Sequence, residues 1–207
     1  MSTSDLARRP KSGAKPVRRV TTELEPAFGL PPTASRPALL DRGSDKRFRT
    51  LVYDLLTISA RMDGVRGHLG GRLGISGPQY SVLMAVAQLQ GSAGVSVSRI
   101  AQVLHVSSAF VAVETGKLVR LGLLTKEPNR LDRRSVLIRL TADAHVQIEA
   151  LSPEIRTIND MFFGALNRAS FAALAEAATA LVGSSRKAIH YISAPNEEPA
   201  FMFEAAE

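Results

Sequence analysis

Three arginines crowd one short polar stretch, residues 128–135: Arg130, Arg133 and Arg134, with Asp132 among them. Guanidinium groups so closely spaced suit a polyanion. Each offers a rigid fork of donors to phosphate and is drawn to the negative potential of a narrow minor groove. Residues for covalent or metal chemistry are sparse. The chain has no cysteine, which excludes disulfides, thiolate zinc sites and thiol redox chemistry. Its four histidines, His68, His105, His145 and His190, fall in separate segments. Only His145 and Glu149 share an i, i+4 spacing open to two metal ligands, and a solvated helix face is the more ordinary use of such a pair. No glycine-rich phosphate loop, nucleophile elbow or catalytically spaced carboxylate pair occurs. The expectation is a protein that is not an enzyme, with no catalytic residues, no metal and no cofactor.

The charge points the same way once it is divided along the chain. Net charge is +4 for residues 1–43, +3 for 44–95, +5 for 96–140 and −5 for 141–207, within an overall +7. A basic front and an acidic end imply one face built for anions and another kept away from them. With 207 residues, 45% hydrophobic and 22% charged, the composition is that of one ordinary globular domain with tails. No run approaches the roughly 18 apolar residues of a membrane helix, and the basic start lacks an apolar signal core. The expectation is a cytoplasmic protein with no membrane partner.

Positioning these groups requires a scaffold, and the periodicity supplies one. Residues 1–43 hold six of the eleven prolines and the basic residues Arg8, Arg9, Lys11, Arg18 and Arg19. They read as a disordered arm, either merely solvated or adding phosphate or minor-groove contacts. From 44, Phe48, Leu51, Val52, Leu55, Ser59, Met62, Val65 and Leu69 form a helical stripe ending near Gly70. Ser76, with Pro78 and Gln79 behind it, caps a second helix whose apolar face is Tyr80, Leu83, Met84, Ala87 and Leu89. Ser96 opens a short helix over 97–104, and Ser107 opens another that runs to Leu121 and stops at Gly122. The period then switches. Residues 123–127 and 136–140 read as two strands of a hairpin whose tip carries the three arginines. Thr141 caps a long helix through Val146, Ile148, Leu151, Ile155, Ile158, Phe162 and Leu166, with a kink or break expected at Pro153. A last helix covers about 170–192, and 193–207 form an acidic tail.

Short helix, tight turn, second helix and basic-tipped hairpin make the order of a winged helix-turn-helix. Its second helix fits the major groove, and the hairpin is thin enough for the neighbouring minor groove. The runs at 97–107, 117–124 and 131–141, together with 76–83, resemble the multiple-antibiotic-resistance regulator (MarR) family, the resemblance spanning roughly 44–190. The fold it implies is mainly α, with a two-stranded hairpin wing, a DNA-binding unit at about 76–140 and dimerisation helices at about 44–70 and 141–192. It further implies a homodimer on pseudo-palindromic double-stranded DNA, and a small effector, often an aromatic acid or phenol. The stripes of the first and last helices independently call for a partner, since the winged unit has its own core.

Alignment with that family places Ser107, Ser108, Ala109, Phe110, Ala112 and Val113 toward the bases. Two hydroxyls and four apolar groups predict sparse hydrogen-bond readout, with thymine methyls and DNA shape carrying more. Phe110 suits core packing equally well. In the wing, Arg133 or Arg134 enters the minor groove, Asp132 orients an arginine, and Arg130 suits either role. Arg99, Lys117 and Arg120 are phosphate candidates. Glu114, at a position usually aliphatic, needs a partner such as Arg99 or Lys117, or solvent. Gly116 in mid-helix costs about 1 kcal/mol relative to alanine. Where the resemblance places an effector pocket stand Tyr53, Arg61, His68, Arg72 and Tyr80; Arg72 or His68 suits a carboxylate and Tyr80 a ring. Two functions remain open. One is a dimeric regulator, a repressor released from DNA by a ligand. The other is a ligand-blind architectural or protein-interaction module, marked by steep salt dependence with little sequence preference.

Overall fold

The computed structural model describes residues 30–129 and 135–193. The chain divides into two compact units, Met1–Leu55 and Leu56–Glu207. Residues 30–43, grouped with the arm on composition, are fastened within the first unit. Pro37–Leu39 form one turn of 3-10 helix, and Asp41 and Ser44 form a β-bridge. Asp45 is buried and accepts the Thr33 backbone N–H at 2.6 Å and the Thr33 hydroxyl at 2.8 Å, while Arg49 pairs with its other oxygen. These Thr33 bonds hold the Asp45 carboxyl below the usual carboxylate range.

Helix α1, Lys46–Arg72, begins in this unit and ends in the second. Its last turn is fixed by glycine. The Gly70 carbonyl accepts from Leu73 and Ile75, Gly74 takes φ +69°, and a Cβ on Gly70 would lie 2.8 Å from the Ile75 carbonyl oxygen. Helix α2, Gly77–Leu89, then starts on a complete capping box: Ser76 Oγ accepts from the Gln79 N–H and Gln79 Oε1 from the Ser76 N–H.

The expected apolar face of α2 is too narrow. Val82, Ala85 and Val86 are buried beside Tyr80 and Leu83, because two further helices, Val97–Leu104 and Ser108–Arg120, and the strand Val136–Leu140 all pack on the helix. A helix buried on several sides loses its polar stripe. Strand β1, Val95–Ser96, leads into α3, Val97–Leu104, and then α4, Ser108–Arg120. Ser96 and Ser107 cap them, accepting from Arg99 N–H at 3.2 Å and Phe110 N–H at 3.1 Å. His105 makes the turn between α3 and α4 in the left-handed region at φ 55°. The sheet has three antiparallel strands in order β1-β3-β2, where a two-stranded hairpin was expected. β2 is Leu124–Pro128 and β3 is Val136–Leu140; β1 adds Val95 opposite Ile138 and Ser96 opposite Leu137. Two residues are too few to show an alternation, so this strand left no periodic signal.

Thr141, capping α5 at Ala142–Phe162, accepts from the Ala144 N–H and donates its hydroxyl to the Gly122 carbonyl, locking the helix to the sheet. Of the kink or break expected at Pro153, the break does not occur: α5 continues through the exposed proline, which cannot donate to the Glu149 carbonyl. Val146, expected on the apolar face, is 63% exposed. Asn167 and Ser170 cap α6, Arg168–Ser193, each accepting the other's backbone N–H at 2.9 Å. No residue of α6 is buried. The core therefore belongs to the winged unit: Leu83, Val86, Ile100, Val111, Leu118, Leu124 and Ile138 are its innermost side chains. Among the described residues, no helix is long and apolar enough to cross a membrane.

Two glycines in helices should respond oppositely to alanine. Gly70→Ala drives a methyl into backbone oxygens that cannot retreat, and stability should fall by roughly 1–3 kcal/mol. Gly116 faces only the ends of two flexible side chains, at 3.9 and 4.0 Å, so Gly116→Ala should raise stability by about 0.5–1 kcal/mol. Urea unfolding midpoints measure both; a loss at 116 would mean that the chain has to approach α4 there more closely than this packing requires.

Candidate nucleic-acid interface and ligand cavity

Helix α4 turns Val111, Glu114, Thr115 and Leu118 inward. Ser107, Ser108, Ala109, Ala112 and Val113 face out, Val113 with 55% of its surface exposed. Phe110 is half-buried and packs against the core, which leaves two hydroxyls and three apolar groups on the outward face. The Ser107 hydroxyl is already the cap of its own helix. Such a face has few donors for base edges and presents methyl groups instead.

Cations surround it unequally. Glu114, 7% exposed, accepts from Lys117 Nζ at 2.7 Å, so the carboxylate that interrupts the apolar pattern holds one of the expected phosphate contacts. Arg99 donates to Gln102 at 2.7 Å on the exposed side of α3. Arg120 is exposed, and its guanidinium and the Lys126 ammonium both flank the place where a Gly116 Cβ would stand. Lys126 is absent from the expected set; it sits on β2, and only the packing of β2 against α4 brings it there. Across the sheet, Arg139 Nε is buried without a hydrogen bond, 3.6 Å from Glu127 Oε2.

The wing stem is closed by the Asn129 N–H to the Ser135 carbonyl at 3.1 Å and by the two side chains at 2.9 Å. Arg130, Asp132, Arg133 and Arg134 lie outside the described residues, as do most of the basic arm and the acidic tail.

The expected pocket residues disperse. Tyr53 and Arg61 are exposed on α1. His68 and Arg72 grip one carboxylate on α5: His68 Nε2 lies 2.7 Å from Glu154 Oε1 and Arg72 Nε donates to Glu154 Oε2 at 3.1 Å. Tyr80 lines a cavity of about 140 Å³ between α1, α2 and α5, where Met62, Arg66, Leu69, Ile155 and Phe162 join it. Burial pushes the Tyr80 phenol up from its ordinary value. Arg66 pairs with Asp63 one turn away. His145 lies 3.4 Å from Glu149 with both side chains exposed. Among the described residues, no cluster of three or more metal-ligating side chains occurs.

The His68 hydrogen bond, followed by the Arg72 charge, holds the Glu154 carboxyl below the usual carboxylate range. A depressed folded-state value makes this link stabilising above the ordinary glutamate range, and the contribution is lost as pH falls through the depressed value. Glu154→Gln should thus lower the urea midpoint at neutral pH, with a difference that shrinks as pH falls below the ordinary glutamate range. An undiminished difference at acid pH would assign the effect to packing.

Residues 73–135 match the model of the MarR family. No curated protein matches the sequence. Among solved structures, the chain is similar to S. aureus MepR in a DNA complex, with TM-score 0.57 and 19% identity over 64% of this chain and 96% of that one. It is similar to a mutant MarR from E. coli complexed with operator DNA, with TM-score 0.56 and 19% identity over 65% and 95%. Bordetella bronchiseptica BpsR, whose DNA binding is regulated by 6-hydroxynicotinic acid, gives TM-score 0.54 and 22% identity over 64% and 98%. The likeness to these structures shows a shared fold, and within it the winged segment, residues 73–135, is what matches the MarR family.

Proposed function

We propose that the chain is a homodimeric repressor that binds a pseudo-palindromic operator and is released by a small aromatic ligand. The observation that carries the dimer is α6: Phe171, Leu174 and Leu181 are 59%, 46% and 53% exposed on a helix that buries nothing in its own chain. Apolar surface on that scale calls for a partner. Two-fold pairing would set two copies of α4 about one DNA turn, roughly 34 Å, apart, with Arg133 or Arg134 of each wing in the flanking minor groove. DNA complexes of MepR and MarR, which share the fold, support this reading.

The Tyr80 cavity supports the effector. Its walls come from α1 and α5 on one side and α2 on the other, so a ligand there would favour one placement of these helices over another and shift the equilibrium between DNA-competent and incompetent arrangements. A single ring suits the volume, with Tyr80 and Arg66 as polar anchors. Regulation of BpsR by 6-hydroxynicotinic acid, an aromatic acid, is consistent with it.

A ligand-blind module is the second reading, favoured by the poverty of hydrogen-bonding groups on the outward face of α4. Sedimentation of the free protein and footprinting on a duplex enriched from a random pool decide the matter. The regulator requires a particle of twice 22.2 kDa and two protected patches one turn apart. A monomer with a continuous, unphased footprint would remove it.

A further inference from the structure

The end of α6 forms a groove with the α3–α4 turn. Its volume is about 660 Å³, and His105, Val182, Arg186, Ile189 and His190 line it, with Ser193 at its edge. The floor is apolar: Val182 and Ile189 are 41% and 59% exposed. The lining also carries Arg186 and the two imidazoles of His105 and His190. Arg186, Lys187 and His190 distinguish this half of α6 from the purely apolar stripe at 171–181, and charges so placed suit an apolar seam between two copies poorly. An occupant needs negative charge interleaved with apolar side chains.

The chain itself supplies such a segment, and it starts at the groove. Residues 194–207 follow Ser193 directly and carry Glu197, Glu198, Glu204 and Glu207, no lysine or arginine, and Phe201-Met202-Phe203 between the glutamates. Fully extended, fourteen residues reach at most about 50 Å, ample to run along a groove whose edge is their own attachment point. Tethering at that distance gives an effective concentration on the order of millimolar, so modest contacts suffice.

We propose that the acidic C-terminal segment 194–207 docks in this groove and there competes with DNA. His105, which lines the groove, stands two residues before Ser107, the cap of α4. A seated tail sets carboxylates beside the start of the helix assigned to the major groove, where they repel phosphates and oppose the +5 charge of residues 96–140. The consequence for DNA rests on the regulator reading; the docking does not.

Because the chain has no cysteine, Ala206→Cys gives a single attachment point for a spin label in the otherwise intact protein. Amide signals of His105, Arg186 and His190 should broaden and should recover on adding Arg186→Glu or about 1 M salt. Unbroadened signals overturn the proposal. Broadening seen only when labelled chains are mixed with isotopically labelled, unlabelled-tail chains also overturns it, by seating the segment on a second copy. Changing all four tail glutamates to glutamine should tighten binding to random duplex about threefold to tenfold, and this gain should vanish in an Arg186→Glu background. A gain that persists there is a bulk charge effect and counts against docking. Broadening without DNA binding by any form upholds docking and sinks the regulator reading.

Discussion

Replacing Arg134 with alanine weakens binding to the selected operator at least about tenfold, roughly 1.4 kcal/mol, and leaves the urea midpoint unchanged. The expectation follows from what α4 lacks. With Phe110 turned to the core and Lys117 held by Glu114, the outward face of α4 offers two serine hydroxyls, one of them a cap, beside Ala109, Ala112 and Val113. Little discrimination is available from bidentate base contacts, so under the proposed function affinity and shape readout would fall to the wing arginines. A guanidinium in a narrow minor groove makes contacts that alanine cannot replace. Fluorescence anisotropy on the operator and on scrambled DNA measures the change; an unaltered operator affinity takes the wing out of the mechanism.

The opposite separation is expected for Leu118→Ala. Leu118 is fully buried where α4 meets the core, and truncation leaves a cavity lined by side chains that are themselves held on several sides. The loss should be about 2–5 kcal/mol, the range for a leucine deletion at such a site. Val113→Ala, one residue before the buried Glu114 on the same helix but exposed, should stay within about 0.5 kcal/mol. At low temperature, where Leu118→Ala remains folded, operator affinity should stay near that of the parent. Stability and DNA binding then map to opposite faces of one helix. A Leu118→Ala protein as stable as its parent would mean that α4 is not seated as described.

Local signals carried most of the architecture. Ser76, Ser96, Ser107 and Thr141 each precede an apolar run, and each accepts a backbone N–H in the first turn of the helix it opens. Capping is settled within four residues, so it can be read from the chain. Features that depend on distant neighbours were not legible in this way. The burial of Val82, Ala85 and Val86 depends on α3, α4 and β3 arriving from elsewhere, and β1 exists only because Val95 and Ser96 meet Ile138 and Leu137.

Candidate sites divide along the same line. Glu114 stood out as a carboxylate needing a partner, and the partner, Lys117, lies three residues away. His68 and Arg72 instead find Glu154 more than eighty residues further on, so no local pattern announces that they are engaged. Arg66, Ile155 and Phe162, which join Tyr80 around the cavity, look in sequence like ordinary members of helical stripes. Lys126 reads as one charge on a short strand until β2 packs beside α4.

Under the proposed function this fold reads a specific inverted repeat. Its most direct test is selection of bound sequences from a random duplex pool by the full-length protein at about 0.15 M salt, followed by affinities for the winning sequence and its scramble. The expected result is an enriched inverted repeat with half-sites about 10 base pairs apart, bound at least about a thousandfold more tightly than the scramble. Enrichment of nothing beyond A·T content, with equal affinities for both duplexes, would contradict it.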